Sequence, residues 1–234
     1  MNKKIAYAVG MFLTMGGIAY ADNVVYIDQI GSSANININQ DGSGNRVGSS
    51  GTDSASSGAS TTLDIDQVGS SNELDYNIYG DTINVTSNIA GNSSDVDIDI
   101  GTTGGSNGGS DDVSVTINAS TNSNTIDVNV GSVTAVDTND VDIDIDITGG
   151  TTNSVTVTEN STASSVTDKI TDIDINGGSN TVTASKSGSS QHDTTLNITG
   201  SSNTMSVTQS GAEASTVDVT TSGSSSSITI TVSD

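Results

Sequence analysis

One unit constrains this chain more than any other feature. It is a pair of short alternating runs joined by a Gly-x-x-Asn corner. Leu196-Asn-Ile198-Thr leads into Gly200-Ser-Ser-Asn203, and Thr204-Met-Ser-Val207-Thr208 leads out. The corner recurs at Gly42-Ser-Gly-Asn45, Gly69-Ser-Ser-Asn72, Gly150-Thr-Thr-Asn153 and Gly177-Gly-Ser-Asn180, with a weakened copy at Gly223-Ser-Ser-Ser226. Gly177, Gly200 and Gly223 are 23 residues apart (200−177 and 223−200). A fixed period of this size is the mark of a solenoid or array. At the corner, glycine is expected to supply backbone angles closed to other residues. Asparagine is expected to tolerate the left-handed region and bond its own backbone.

Composition agrees with a thin core. Apolar residues make up 31% of the 234 residues, against about 45–50%, glycine included, in ordinary globular domains. Such a chain has too little apolar surface for a compact core, but a solenoid coil needs only one inner row. Ile and Val alternate with polar residues over most of the length, which argues for half-buried strands and against disorder. No proline interrupts them, as suits strands whose every N–H joins a ladder. Without cysteine there are no disulfides or thiolate metal sites.

Residues 1–21 read as a secretory signal peptide. Asn2-Lys3-Lys4 opens it, Ile5 to Ile18 is the apolar stretch, and Ala19-Tyr-Ala21 is a small-x-small cleavage site before Asp22. Residues 22–234 then form one repeat domain of about seven or eight coils. Gly/Ser-rich insertions are expected near 48–61 and 101–112. At roughly 4.8 Å per layer the stack is about 35 Å long. The fold class expected is all-β, a β-solenoid of stacked strand–turn–strand coils. The product is expected outside the cell or on its surface, without stable membrane insertion after cleavage.

Formal charge is −23, and loss of Lys3 and Lys4 with the leader makes it −25. Only Arg46, Lys169 and Lys186 then remain positive. Such a surface repels nucleic acid and anionic lipid and attracts divalent cations. Alternation puts Asp97, Asp99, Asp142, Asp144, Asp146, Asp172 and Asp174 outward on leading strands. These are the candidate ligands for Ca²⁺, a hard cation that takes oxygens; otherwise they make a solvated face that resists lateral aggregation. Return strands put hydroxyls outward, among them Thr156, Thr158, Thr181, Thr183, Thr229 and Thr231. That row is a candidate surface or ice contact. The only histidine, His192, falls in Ser-Ser-Gln-His-Asp, read as a loop, and no nucleophile or phosphate motif accompanies it. The chain is not expected to be an enzyme.

Gln40-x-Gly42-x-x-Asn45 and Gln67-x-Gly69-x-x-Asn72 match the curlin repeat core, Gln-x-Gly-x-x-Asn. Gln29-x-Gly31 with Asn35 is the same pattern with one extra residue, and Gln209-x-Gly211 is a half match. Over roughly residues 24–86 the chain therefore resembles the curlin family, secreted bacterial subunits of functional amyloid. The resemblance implies head-to-tail self-association into extracellular fibres of a biofilm matrix or adhesive surface, with a nucleator or export pore as partner. It places Gln29, Gln40, Gln67, Asn45, Asn72, Asn180 and Asn203 in amide ladders along the axis. Past residue 86 the glutamine is lost, and Ile100, Ile147 and Ile175 are expected near its place. The last strand, Ile228-Thr-Ile-Thr-Val232, is the expected axial end, with Ile228, Ile230 and Val232 on its growing surface. The alternatives are a discrete solenoid that binds calcium, a surface or ice, and a phage fibre or decoration protein.

Overall fold

The computed structural model describes residues 22–48, 54–101, 112–131, 140–160, 168–188, 191–211 and 215–233. It is an all-β solenoid in which every strand pairing is parallel. The strands are β1 (Asp22–Val25), β2 (Asp28–Ile30), β3 (Ser33–Gly42), β4 (Gly44–Val47), β5 (Ser54–Ser57), β6 (Ser60–Gly69), β7 (Asn72–Tyr79), β8 (Thr82–Ile100) and β9 (Asp112–Val130). They continue as β10 (Asp140–Thr148), β11 (Thr152–Asn160), β12 (Asp168–Asn176), β13 (Ser179–Ser187), β14 (Gln191–Thr199), β15 (Ser202–Ser210), β16 (Thr216–Ser222) and β17 (Ser226–Ser233).

Two faces result. The leading face stacks β3, β6, the first half of β8, the first half of β9, β10, β12, β14 and β16. The return face stacks β1 with β2, β4 with β5, β7, the second halves of β8 and β9, β11, β13, β15 and β17. Strand side chains alternate, so each coil sends one row inward from each face. Leu63, Ile65, Leu74, Tyr76, Ile98, Ile143, Ile145, Val157 and Leu196 are among the buried residues of that single continuous core. Tyr76 is the largest side chain in it. Its register neighbour below is the small Ser54, and burial pushes its phenol up to about 12.

Two expectations change. Residues 48–61 are not all insertion. Ser54–Ser57 form β5, which pairs with β2 and β7, and Ser54 and Ser56 are buried. Small polar residues hide this strand because they lack the Ile/Val alternation that marks the others. Residues 49–53 and 102–111 of the expected insertions, and residues 1–21, read above as a signal peptide, lie outside the described residues.

The corner glycines also act differently from expectation. Gly69, Gly177, Gly200 and Gly223 are not in the left-handed region, and no non-glycine residue has positive φ among those described. What these positions require is closeness. A Cβ on Gly69 would run into the Gly42 carbonyl oxygen, and one on Gly223 into that of Gly200. Glycine stacks on glycine because two backbones pass there. Gly150, at φ 89°, is one corner that does need glycine's freedom.

Candidate functional site

Three rows inside or on the solenoid carry the polar chemistry. The first starts each return strand. In register it runs Asn23, Asn45, Asn72, Ser94, Asn124, Asn153, Asn180, Asn203 and Ser226. Five of the amides donate Nδ2 to the Oδ1 of the next layer, at 2.9 Å (Asn23 to Asn45), 3.0 Å (Asn45 to Asn72), 2.7 Å (Asn124 to Asn153), 2.8 Å (Asn153 to Asn180) and 2.9 Å (Asn180 to Asn203). The break is at Ser94. Asn72 turns to the Ala90 carbonyl at 3.2 Å, and Ser94 Oγ donates to Asn124 Oδ1 at 2.7 Å. The expected members Asn45, Asn72, Asn180 and Asn203 are all present. Asn153, recognised as a corner but not as a ladder member, joins them, and Asn23 and Asn124 have no glycine three residues before them to mark them.

The second row ends the leading strands, beside the corner. It holds Gln40, Gln67, Ile89, Ala119, Ile147, Ile175, Ile198 and Thr221. Gln67 Nε2 donates to Gln40 Oε1 at 2.9 Å. Gln67 Oε1 has no partner, because Ile89 occupies the layer above. Gln29 does not join this pair. It ends a return strand, half-buried, with Ser56 as its register neighbour. Ile147 and Ile175 do take the glutamine's place, whereas Ile100 belongs to Gln29's row.

That third row, at the end of the return strands, runs Gln29, Ser56, Ile78, Ile100, Val130, Glu159, Lys186, Gln209 and Val232. Here the structure holds a buried charged cluster. Glu159, Lys169, His192 and Gln209 are 0% exposed and Lys186 is 1%. Lys186 Nζ lies 3.4 Å from Glu159 Oε1 and donates to the Lys169 and Asp193 carbonyls at 2.9 and 2.7 Å. Thr171 Oγ1 donates to the same Glu159 oxygen. Lys169 Nζ reaches the Ser187 carbonyl at 3.4 Å. Gln209 Nε2 donates to Thr194 Oγ1 at 2.9 Å. Burial lowers the Lys169 pKa to about 8 against the pull of Glu159, and lowers that of Lys186. His192 lies in β14, inside the core and not in a loop, stacked on Lys169. The cluster was legible in phase. Glu159 follows Val155 and Val157, Lys186 follows Val182 and Ala184, and His192 precedes Thr194 and Leu196, each at steps of two. Of the described cations, only Arg46 remains at the surface, bonded to Glu73 across one layer.

Outward, the acids divide between the faces. Asp142, Asp144 and Asp146 stand on the leading face, where Asp144 pairs with Asp172 and Asp146 with Asp174. Asp97 and Asp99 do not join them. They lie on the return face, where Asp97 stacks on Asp127 and Asp99 on Asn129. The expectation that they stand on a leading strand fails because the corner before them, Gly91-Asn-Ser-Ser94, lacks the asparagine that marks the start of a return strand. Burial and neighbouring carboxylates raise the carboxyls of Asp144 and Asp172 above the ordinary range, and burial with Asp99 does so for Asp127. Asparagines relieve several columns. Asn88 donates to Asp66 at 2.8 Å, Asn129 to Asp99 at 3.0 Å and Asn197 to Asp174 at 2.7 Å. Asp112, Asp140, Asp142 and Asp168 line a groove of about 430 Å³. Among the described residues no three acids converge as metal ligands.

Comparison with protein-family models, curated proteins and solved structures found no match for this chain.

The upper return face has another character. Its outward residues on β11, β13, β15 and β17 are Ser and Thr, with Asn160 the one exception, and none is charged. At the axial end, Ile228, Ile230 and Val232 are 44%, 46% and 49% exposed. They occupy the inner row, in register with Met205, Val207 and Gln209, and no described strand covers them.

Proposed function

We propose that the chain is a structural subunit that stacks end to end into extracellular fibres. The observation that carries this reading is the match between the two axial ends. The top layer offers Ser226, Ile228, Ile230 and Val232 on the return face. The bottom layer offers Asn23, Val25, Ile27 and Gln29 on the same face. A second copy set on top with the same strand direction lays Asn23 over Ser226, Val25 over Ile228 and Ile27 over Ile230. Apolar meets apolar, and the asparagine row continues across the junction. The free backbone groups of an edge strand favour such pairing, and a head-to-tail contact that does not close gives an open filament. The acids of the leading face disfavour sideways contacts there. The curlin-like motifs at residues 40–45 and 67–72 support the same reading, as does the candidate signal peptide.

The uncharged hydroxyl face supports a second reading, a discrete solenoid that docks on a surface or on ice. Electron microscopy and fibre diffraction of the purified mature chain separate the two. The fibre reading expects unbranched filaments with a repeat of about 4.7–4.8 Å along the axis. Ile228→Lys with Ile230→Lys should stop elongation while the lower coils stay folded. Wild-type chain that stays monomeric at high concentration rejects the fibre and leaves the docking module.

A further inference from the structure

The buried cluster lies directly beneath the layer that would receive the next copy. His192 stacks on Lys169 within the core, and its Nε2 sits 3.1 Å from where a Cβ on Gly211 would be. Above it, Gln209 Nε2 donates to the Thr216 carbonyl, tying β15 to β16. The charged groups that act on this space come from β10 to β14. Glu159 comes from β11, Lys169 from β12, Lys186 from β13 and Asp193 from β14, with Asp142 of β10 acting at longer range. Two ammonium groups thus share one buried carboxylate. A proton added to His192 places a third positive charge on a side chain that is 0% exposed. Neither ring nitrogen has a hydrogen-bond partner, and burial, Lys169 and Lys186 oppose that proton more strongly than the nearby Gly188 and Ser210 backbone favours it.

We propose that His192 is a proton-operated latch, and that its protonation unseats coils β14–β15 together with the terminal layer β16–β17. The imidazolium is tolerated only when the strand leaves the core, so acid favours the opened end. The sign follows from linkage. The His192 pKa is lower folded than unfolded, so its contribution is complete above about pH 6.5 and is lost as pH falls through the folded value. Lys169, at about 8 when folded, has its loss between about pH 10.4 and 8 and does not change below neutrality. The consequence for fibres rests on the end-to-end reading; the latch itself does not.

The test is amide hydrogen exchange on dilute monomer between pH 7 and 5, corrected for the intrinsic pH dependence of exchange. Protection in β14–β17 should fall by up to about tenfold per pH unit below pH 6.5, one proton's worth, with β6–β9 unchanged. His192→Gln should abolish the fall. If wild type and variant lose protection in parallel, the proposal is overturned. Should His192→Gln fail to fold, Lys169→Met gives the second arm. Removing that neighbouring charge raises the folded His192 pKa and should shrink the loss at pH 5; an undiminished loss also overturns the proposal. Exchange that behaves as expected in a chain that never forms fibres leaves the latch standing and rejects the fibre.

Discussion

Two regions of this solenoid place polar side chains in the core beside a turn, and they do it differently. In β3 and β6 the position holds Gln40 and Gln67, a neutral pair joined by one 2.9 Å bond. At the end of β11, β13 and β15 stand Glu159, Lys186 and Gln209, an ion pair capped by a neutral amide, all buried. Identical amides can repeat over any number of layers, because each both donates and accepts. A one-layer slip would leave most such contacts intact. A carboxylate beneath an ammonium beneath an amide has one order only. The lower coils are therefore suited to repetition, and the upper coils to a single register. Buried ion pairs seldom add stability over apolar residues, but breaking one is costly.

The largest effect follows from that asymmetry. Lys186→Met takes the nearest cation from the buried Glu159 carboxylate, and should cost about 3–5 kcal/mol. Adding Glu159→Leu to it should restore only part of the loss, because Lys169 then stays buried without a carboxylate. Gln67→Leu in the lower coils should cost only about 1–3 kcal/mol, the price of a buried hydrogen-bonding group left unpaired. Urea unfolding followed by circular dichroism measures all three. If Lys186→Met and Gln67→Leu cost the same, the two regions do not differ in the way described.

A smaller effect tests the asparagine row that runs past both regions. Asn124→Ala removes the acceptor of Ser94 and the donor to Asn153. It should lower stability by about 1–3 kcal/mol. Asn124→Ser, which copies Ser94, should lose less. Equal losses would mean that the row contributes packing and not hydrogen bonds.

Most of the architecture was legible because alternation and corner spacing are local. Leu63-Asp-Ile65 or Ile143-Asp-Ile145 states its own inner and outer faces. What was not legible depended on the stack. Ser54 and Ser56 are core residues only because Tyr76 and Ile78 lie in the next layer and fill the space. Asp97 and Asp99 look like Asp142 and Asp144 along the chain, and the register alone puts them on opposite faces. The burial of Lys169 and His192 was readable in phase. Charge, normally a sign of exposure, outweighed phase in the reading of those strands.

The smallest effect concerns the outer acids and separates calcium from simple repulsion. Asp144 and Asp172 are register partners, and both carboxyls lie above the ordinary range. For Asp144 the causes are burial, then Asp146, Asp142 and Asp174; for Asp172 they are burial, then Asp174 and Asp144. A carboxyl raised in the folded state stabilises the fold in acid, and that contribution is lost as pH rises through the folded value. At neutral pH the pair therefore opposes folding. Asp172→Asn should raise the melting temperature at pH 7 and leave it unchanged at pH 3, by an amount worth less than about 1 kcal/mol at this solvated face. Asn197 already plays this part beside Asp174. Millimolar calcium bridging the two carboxylates should raise the wild-type melting temperature, and magnesium, which dehydrates reluctantly, should raise it less. In Asp172→Asn the calcium shift should shrink, because one of the two carboxylates is gone. A calcium shift of the same size in both proteins would place the ion elsewhere. No shift in either would leave these columns as a solvated, mutually repelling face.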